Sequence, residues 1–227
     1  MEKWKSLDEL TIMTKKKDLF SRLGNVIEST ISFNGCHKNL CIGLVDIVAS
    51  SYIAARLENG RSCKYYSIFL NSMATIVEEF GAKVVKNLGD SILYNFPETE
   101  DHTNKEGFTN TLSCGMVMLG ARHIINNKMH HAGLPPLNYR VSSDYGNVMI
   151  GESTSSKNED IFGPTVNVCT KINALAPQNG MVIGGDLHQI VKSFDEYRFD
   201  FLAEHSSGFK FQYPVYSVNH KDRNGLG

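Results

Sequence analysis

The chain has 227 residues, 41% of them hydrophobic and 21% charged, which fits one sizeable globular domain with a short extension. A formal net charge of −1 gives no pull toward a polyanion, so nucleic acid is not an expected partner, and no apolar run approaches the roughly 18 residues of a membrane span. The N-terminus MEKWKSLDEL lacks the apolar core of a signal peptide. The five cysteines (Cys36, Cys41, Cys63, Cys114, Cys169) are odd in number and form no Cys-x-x-Cys pair, a pattern that favours reduced thiols and a cytoplasmic location over disulfides or zinc.

Residues 7–31 carry Leu19, Leu23, Val26, Ile27 and Ile31 at helical spacing, beside the basic run Lys15, Lys16, Lys17. A solvated helix face explains that run more simply than membrane-surface binding does. Asn34-Gly35 is turn chemistry and sets an expected boundary near residue 37. LCIGLVDIV then reads as a central strand buried on both faces, interrupted only by Asp46. A helix to Phe80 follows, with Gly81 as its cap, and then a hairpin, KVVKNL and SILYNF, turning at Gly89-Asp90. FTNTLSCGMVMLGARHIINNKMHHAG is a second long helix. YRVSSDYGNVMIGES reads as a strand pair turning near Tyr145-Gly146, and TSSKNED as a surface loop. TVNVCTKINALA is a third helix, ended by Pro177 and Gly180. A strand leading into a helix (GMVIGGDLHQIV) and two closing strands (YRFDFLAEH, FQYPVYSV) complete a mixed α+β order. There is no internal repeat and no low-complexity segment.

Four stretches carry possible chemistry: LVDIV with Asp46 and Ile47, KNLGDS with Lys86 and Asp90, RVSSDYGNV, and NEDIFGPTVNVCTK with Asp160, Asn167 and Lys171. Each alone has a plain structural reading: a capping Asp, an ordinary Gly-Asp turn, a loop leading into a helix. Their order and spacing together resemble the catalytic domain of the class III adenylate/guanylate cyclases, from about Leu40 to Val218. That family runs an apolar strand into Asp-Ile, a Lys-bearing strand into Gly-Asp, and later Asp-x-aromatic-Gly-x-x-Val-Asn-x-x-x-Arg.

The resemblance implies a mixed central sheet flanked by helices, in a ferredoxin-like cyclase domain over 38–219. It would follow an N-terminal helical extension (1–37) and precede a disordered tail (220–227). It implies conversion of a nucleoside triphosphate to a cyclic nucleotide and pyrophosphate. Asp46, Asp90 and the Ile47 carbonyl would hold two Mg²⁺ or Mn²⁺ ions, hard cations that take oxygen ligands. Two close carboxylates would repel each other without a cation. It also implies a head-to-tail homodimer with sites at the interface, Asp90 serving one site and Lys86 the other. Lys86 and Asp160 would read the base, and that pair favours ATP. Asn167 would orient the ribose.

Three positions depart from the pattern. Lys171 stands where the family has a transition-state arginine, keeping the charge and losing the planar fork. Pro164 fills a slot that often holds Asp or Asn. Ser207-Gly208 replaces a Lys-Gly triphosphate contact, with Lys210 nearby. Two other readings stay open. One is a cyclase of another base, GTP or a pyrimidine nucleotide, with Tyr52, Tyr65 and Tyr66 narrowing the pocket, although core packing is the plainer account of those tyrosines. The other is a degenerate nucleotide-binding homodimer that regulates a partner. No sensor domain is legible, so control would come from a separate regulatory partner or the N-terminal helix.

Overall fold

A computed structural model describes residues 15–16, 18–20, 31–153, 159–205 and 212–221. The chain runs β1 (Ile31–Ile47), α1 (Ser50–Ala54), α2 (Asn59–Glu79), β2 (Lys83–Asn87), β3 (Ser91–Phe96) and a 3₁₀ turn (Pro97–Glu100). It continues with α3 (Lys105–His131), β4 (Tyr139–Ser153), β5 (Glu159–Phe162), α4 (Pro164–Asn173), β6 (Met181–Gly184), α5 (Gly185–Val191), β7 (Tyr197–His205) and β8 (Tyr213–His220). One sheet takes the order β2-β3-β1-β4-β6-β8-β7, with β5 paired to β4. The pairing is antiparallel except between β4 and β6.

The near-continuous apolar run of β1 is explained by burial on both faces. Cys41, Val45 and Ile47 pack with Tyr65, Phe69 and Met73 of α2 and with Phe108 and Leu112 of α3. The alternate residues Leu40, Ile42 and Leu44 meet Leu93, Val148, Ile161 and Cys169 on the α4 side. Period-two alternation therefore sends Asp46 to the α4 side, just past the last apolar residue of that stripe.

Two expected turns are not turns. β1 pairs with β4 from Ile31 onward, and a register shift between Phe33 and His37 absorbs Asn34-Gly35 as a bulge, so strand begins before residue 37. Tyr145-Gly146 lies inside the single 15-residue strand β4. A Cβ on Gly146 would sit 2.8 Å from Thr165 Oγ1, so this glycine makes room for α4 instead of reversing the chain. Glu159 and Asp160, expected in a loop, open β5 and pair with Glu152 and Gly151.

Candidate active site

Asp46 sits between two strand neighbours, Ser91 on β3 and Arg140 on β4. Asp90 occupies the tip of the β2–β3 hairpin, one residue before Ser91, where Gly89 takes φ 77 and permits the tight reversal. The backbone ties that tip to the end of β1: Ile47 N–H donates to the Asp90 carbonyl at 3.3 Å. The Ser50 hydroxyl at the start of α1 donates to Asp90 Oδ2. Burial, and next the charge on Asp90, push the Asp46 carboxyl up from 3.8 to about 6, while the Arg140 guanidinium pulls it the other way. The Tyr66 hydroxyl on α2 is raised by burial and then by the same Asp90 charge. Arg140 Nη1 reaches the Ala174 carbonyl at 3.5 Å, and its buried Nε has no hydrogen-bond partner among the described residues.

A second cluster forms where β2 meets β5. Lys86 Nζ donates to Asp160 Oδ1 at 2.7 Å and Oδ2 at 2.9 Å, and Asp160 Oδ1 also accepts from the Ile161 N–H at 2.8 Å. The ammonium lies 5.3 Å from the centre of the Phe162 ring. Lys86 is opposite Leu93 and Asp46 is opposite Ser91. Two residues along and two strands across separate the clusters by roughly 12 Å of backbone.

Helix α4 presents two unlike faces. Cys169 Sγ donates to the Ile42 carbonyl, Ser142 Oγ to the Cys169 carbonyl, and Asn173 Nδ2 to the Leu44 carbonyl and Ser142 Oγ, clamping one face onto β1 and β4. Asn167 and Lys171, four residues apart, share the exposed face. Pro164 falls in the first turn, where its missing N–H costs no hydrogen bond.

The fold thus brings Asp46, Ile47 and Asp90 together, and separately Lys86 with Asp160. It leaves Asn167 and Lys171 on an outward face of the same chain. Lys210 and Ser207-Gly208 lie outside the described residues. Tyr65 belongs to the core, and Tyr52 is exposed with the Arg56 guanidinium over its ring at 3.5 Å.

Sequence reasoning missed Arg140 and Ser50. Arg140 becomes a neighbour of Asp46 only through the β1–β4 register, and Ser50 meets Asp90 only across a 40-residue separation. No local pattern announces either contact.

The donor set suits a hard divalent cation. Two carboxylates and a backbone carbonyl are all oxygen donors, and mutual repulsion of the carboxylates is relieved by positive charge between them. Among the described residues no group of three or more His, Cys, Asp or Glu side chains could hold an ion.

Residues 34–212 match the model of the adenylate and guanylate cyclase catalytic domain family. An adenylate cyclase of Streptomyces coelicolor is 23% identical over 177 residues, covering 78% of this chain and 40% of that relative's length. The fold is that of the adenylyl cyclase CyaB from P. aeruginosa, with a TM-score of 0.75 and 19% identity over 85% of this chain and 98% of that one. The guanylyl cyclase Cya2 superposes with a TM-score of 0.71 and 18% identity over 85% of this chain and 98% of that one. With the Asp-Ile strand, the Gly-Asp hairpin and the Asp160-to-Lys171 stretch in the places described above, the chain belongs to the adenylate and guanylate cyclase catalytic domain family.

Proposed function

We propose that this domain converts ATP to 3′,5′-cyclic AMP and pyrophosphate, as a phosphorus–oxygen lyase working in the cytoplasm as a homodimer. The observation that carries the reading is that Asp46 and Asp90 lie at the same end of the sheet, where burial first and the Asp90 charge second hold the Asp46 carboxyl up at about 6. Two close carboxylates are expensive to keep in a purely structural position and useful where cations bind. Asp46, Asp90 and the Ile47 carbonyl would hold two Mg²⁺ or Mn²⁺ ions. Those ions, when bound, activate the ribose 3′-hydroxyl and neutralise charge on the triphosphate.

The chain's own residues do the rest. Lys86 and Asp160 already hold complementary donor and acceptor positions and are each about a third exposed, so a base edge can exchange with their mutual contact. Adenine offers an acceptor at N1 for Lys86 and an amino donor at N6 for Asp160; guanine reverses that order and leaves both groups mispaired. Lys171 and Asn167, on the outward face of α4, reach a nucleotide held by a second copy of the chain. There Lys171 meets the charge that gathers on the α-phosphate oxygens and Asn167 orients the ribose. Arg140, beside Asp46, adds positive charge at the phosphate end, and Lys210 is assigned to the triphosphate. The expected division at 37/38 and 219/220 shifts outward, because β1 enters the sheet at Ile31 and β8 runs to His220; control by a separate partner belongs to the same reading. Among the described residues no helix is long and apolar enough to cross a membrane.

The test is incubation of the purified chain with Mn²⁺ and each of the four nucleoside triphosphates in turn, with cyclic product resolved by mass spectrometry. Cyclic AMP as the main product supports the reading. Cyclic GMP or a cyclic pyrimidine nucleotide shifts the base assignment. The absence of any cyclic product favours the regulatory-dimer reading, for which the replacement of the family arginine by Lys171 is the one supporting observation.

A further inference from the structure

Asp90 is one of two carboxylates in the proposed metal site, and its side chain is not left to solvent. The Ser50 hydroxyl donates to Asp90 Oδ2 from α1, a segment 40 residues earlier in the chain. Ser50 is only 8% exposed. A hydroxyl at that depth needs a partner, and a carboxylate oxygen is a strong one.

The backbone ahead of Ser50 is shaped to deliver this contact. Ala49 adopts φ 58 and ψ 31, the left-handed region that a residue with a Cβ enters only at a steric cost. That conformation turns the chain out of β1 immediately after Ile47 and Val48, whose N–H groups donate to the Asp90 and Asn138 carbonyls respectively. The strained residue therefore stands between the end of the Asp46 strand and the group that holds Asp90, and strain of this kind persists where the surrounding structure over-determines it.

We infer that Ser50 is a positioning residue for the metal site: its hydroxyl fixes the Asp90 carboxylate through Oδ2 and leaves the remaining lone pairs for the cations that Asp90 would hold. The inference rests on the reading of Asp46 and Asp90 as metal ligands. A serine hydroxyl carries one proton, so it secures one carboxylate oxygen and leaves three of the four lone pairs for the metals. Groups that orient a ligand in this way matter to affinity as well as to rate, because a carboxylate free to rotate must be ordered when the cation binds.

The experiment measures Mn²⁺ binding to the full chain without nucleotide, by the loss of the free-ion electron paramagnetic resonance signal. Ser50→Ala and Ser50→Gly both remove the hydroxyl, and whichever folds with a wild-type circular dichroism spectrum is used. Ser50→Thr keeps it. The expected result is affinity about tenfold weaker without the hydroxyl, retained within twofold by threonine, and lost in Asp90→Ala. Affinity within twofold of wild type in the variant lacking the hydroxyl overturns the inference, as does an equal loss in Ser50→Thr with its fold intact. If Asp46→Ala and Asp90→Ala also bind Mn²⁺ like the wild type, the metal-site reading itself falls and takes this inference with it. If those two variants lose binding and the Ser50 variants do not, only the Ser50 assignment fails.

Discussion

Two pairs of charged side chains on one sheet solve opposite problems. Asp46 and Asp90 are like charges at the end of β1, and burial first, then the Asp90 charge, hold the Asp46 carboxyl up. Lys86 and Asp160 are opposite charges in bidentate contact, neutral as a pair, with Phe162 beside the ammonium. On the proposed function the first pair would be completed by a cation, and the second would give up its mutual contact to a base edge. Ligand binding should therefore stabilise the acidic end strongly, and should exchange one set of hydrogen bonds for another at the Lys86 end.

The largest effect separates the pairs outright. Asp46→Ala or Asp90→Ala should reduce cyclic-nucleotide formation to background, with circular dichroism unchanged, because on the proposed function each would remove a metal ligand. Activity retained in either variant would break the assignment of this end to metal binding.

Lys171 comes next. Lys171→Ala should lower kcat and kcat/KM together by roughly 10²-fold, with KM nearly unchanged, since on the proposed function it meets charge that develops only in the transition state. Lys171→Arg should match or exceed wild-type turnover, the planar fork restoring bidentate phosphate contact. A rise in KM alone in Lys171→Ala would assign the residue to ground-state binding instead.

Removal of the second pair has a smaller and more selective consequence. Lys86→Ala should cut the preference for ATP over GTP by about 10- to 100-fold in kcat/KM, because the site then no longer presents a donor to adenine N1. Stability should change by no more than about 1 kcal/mol, as expected for a pair that stays about one-third exposed. Equal losses for both nucleotides would place Lys86 outside base recognition.

The smallest effect is in stability against pH. The Asp46 carboxyl titrates near 6 in the folded chain against 3.8 when unperturbed, so the folded state holds the extra proton between those values. Stability of the metal-free protein should therefore fall as pH rises from about 4 to about 6 and level off above. Mn²⁺ competes with that proton. Its stabilising shift in melting temperature should be a few degrees larger at pH 7.5 than at pH 5, read by scanning calorimetry, and a shift independent of pH would place the ion away from Asp46.

Much of this contrast was legible in the residues. Asp46 interrupts a run that is otherwise apolar on both faces, and a charge in such a place stands out against its neighbours. The Gly89-Asp90 turn carries its own local chemistry, and α2 and α3 declare themselves by spacing. Other features needed the register. Asn34-Gly35 and Tyr145-Gly146 have turn composition, but one is taken up by a bulge and the other provides clearance for Thr165, so composition pointed to the wrong cause. β5 has only four residues and exists through its pairing with β4. Arg140 and Ser50 enter the site through cross-strand and loop contacts that no short window of sequence contains.

The most direct test of the account asks whether the two pairs meet in one reaction across two copies of the chain. Asp46→Ala and Lys86→Ala, each strongly impaired toward ATP alone, are mixed under conditions that exchange subunits, and cyclic AMP formation is measured. In a two-fold dimer the mixed species carries both lesions in one site and none in the other, so random pairing should restore about a quarter of wild-type activity. No recovery, with heterodimers demonstrated by differently tagged chains, would contradict the account and place each site within a single chain.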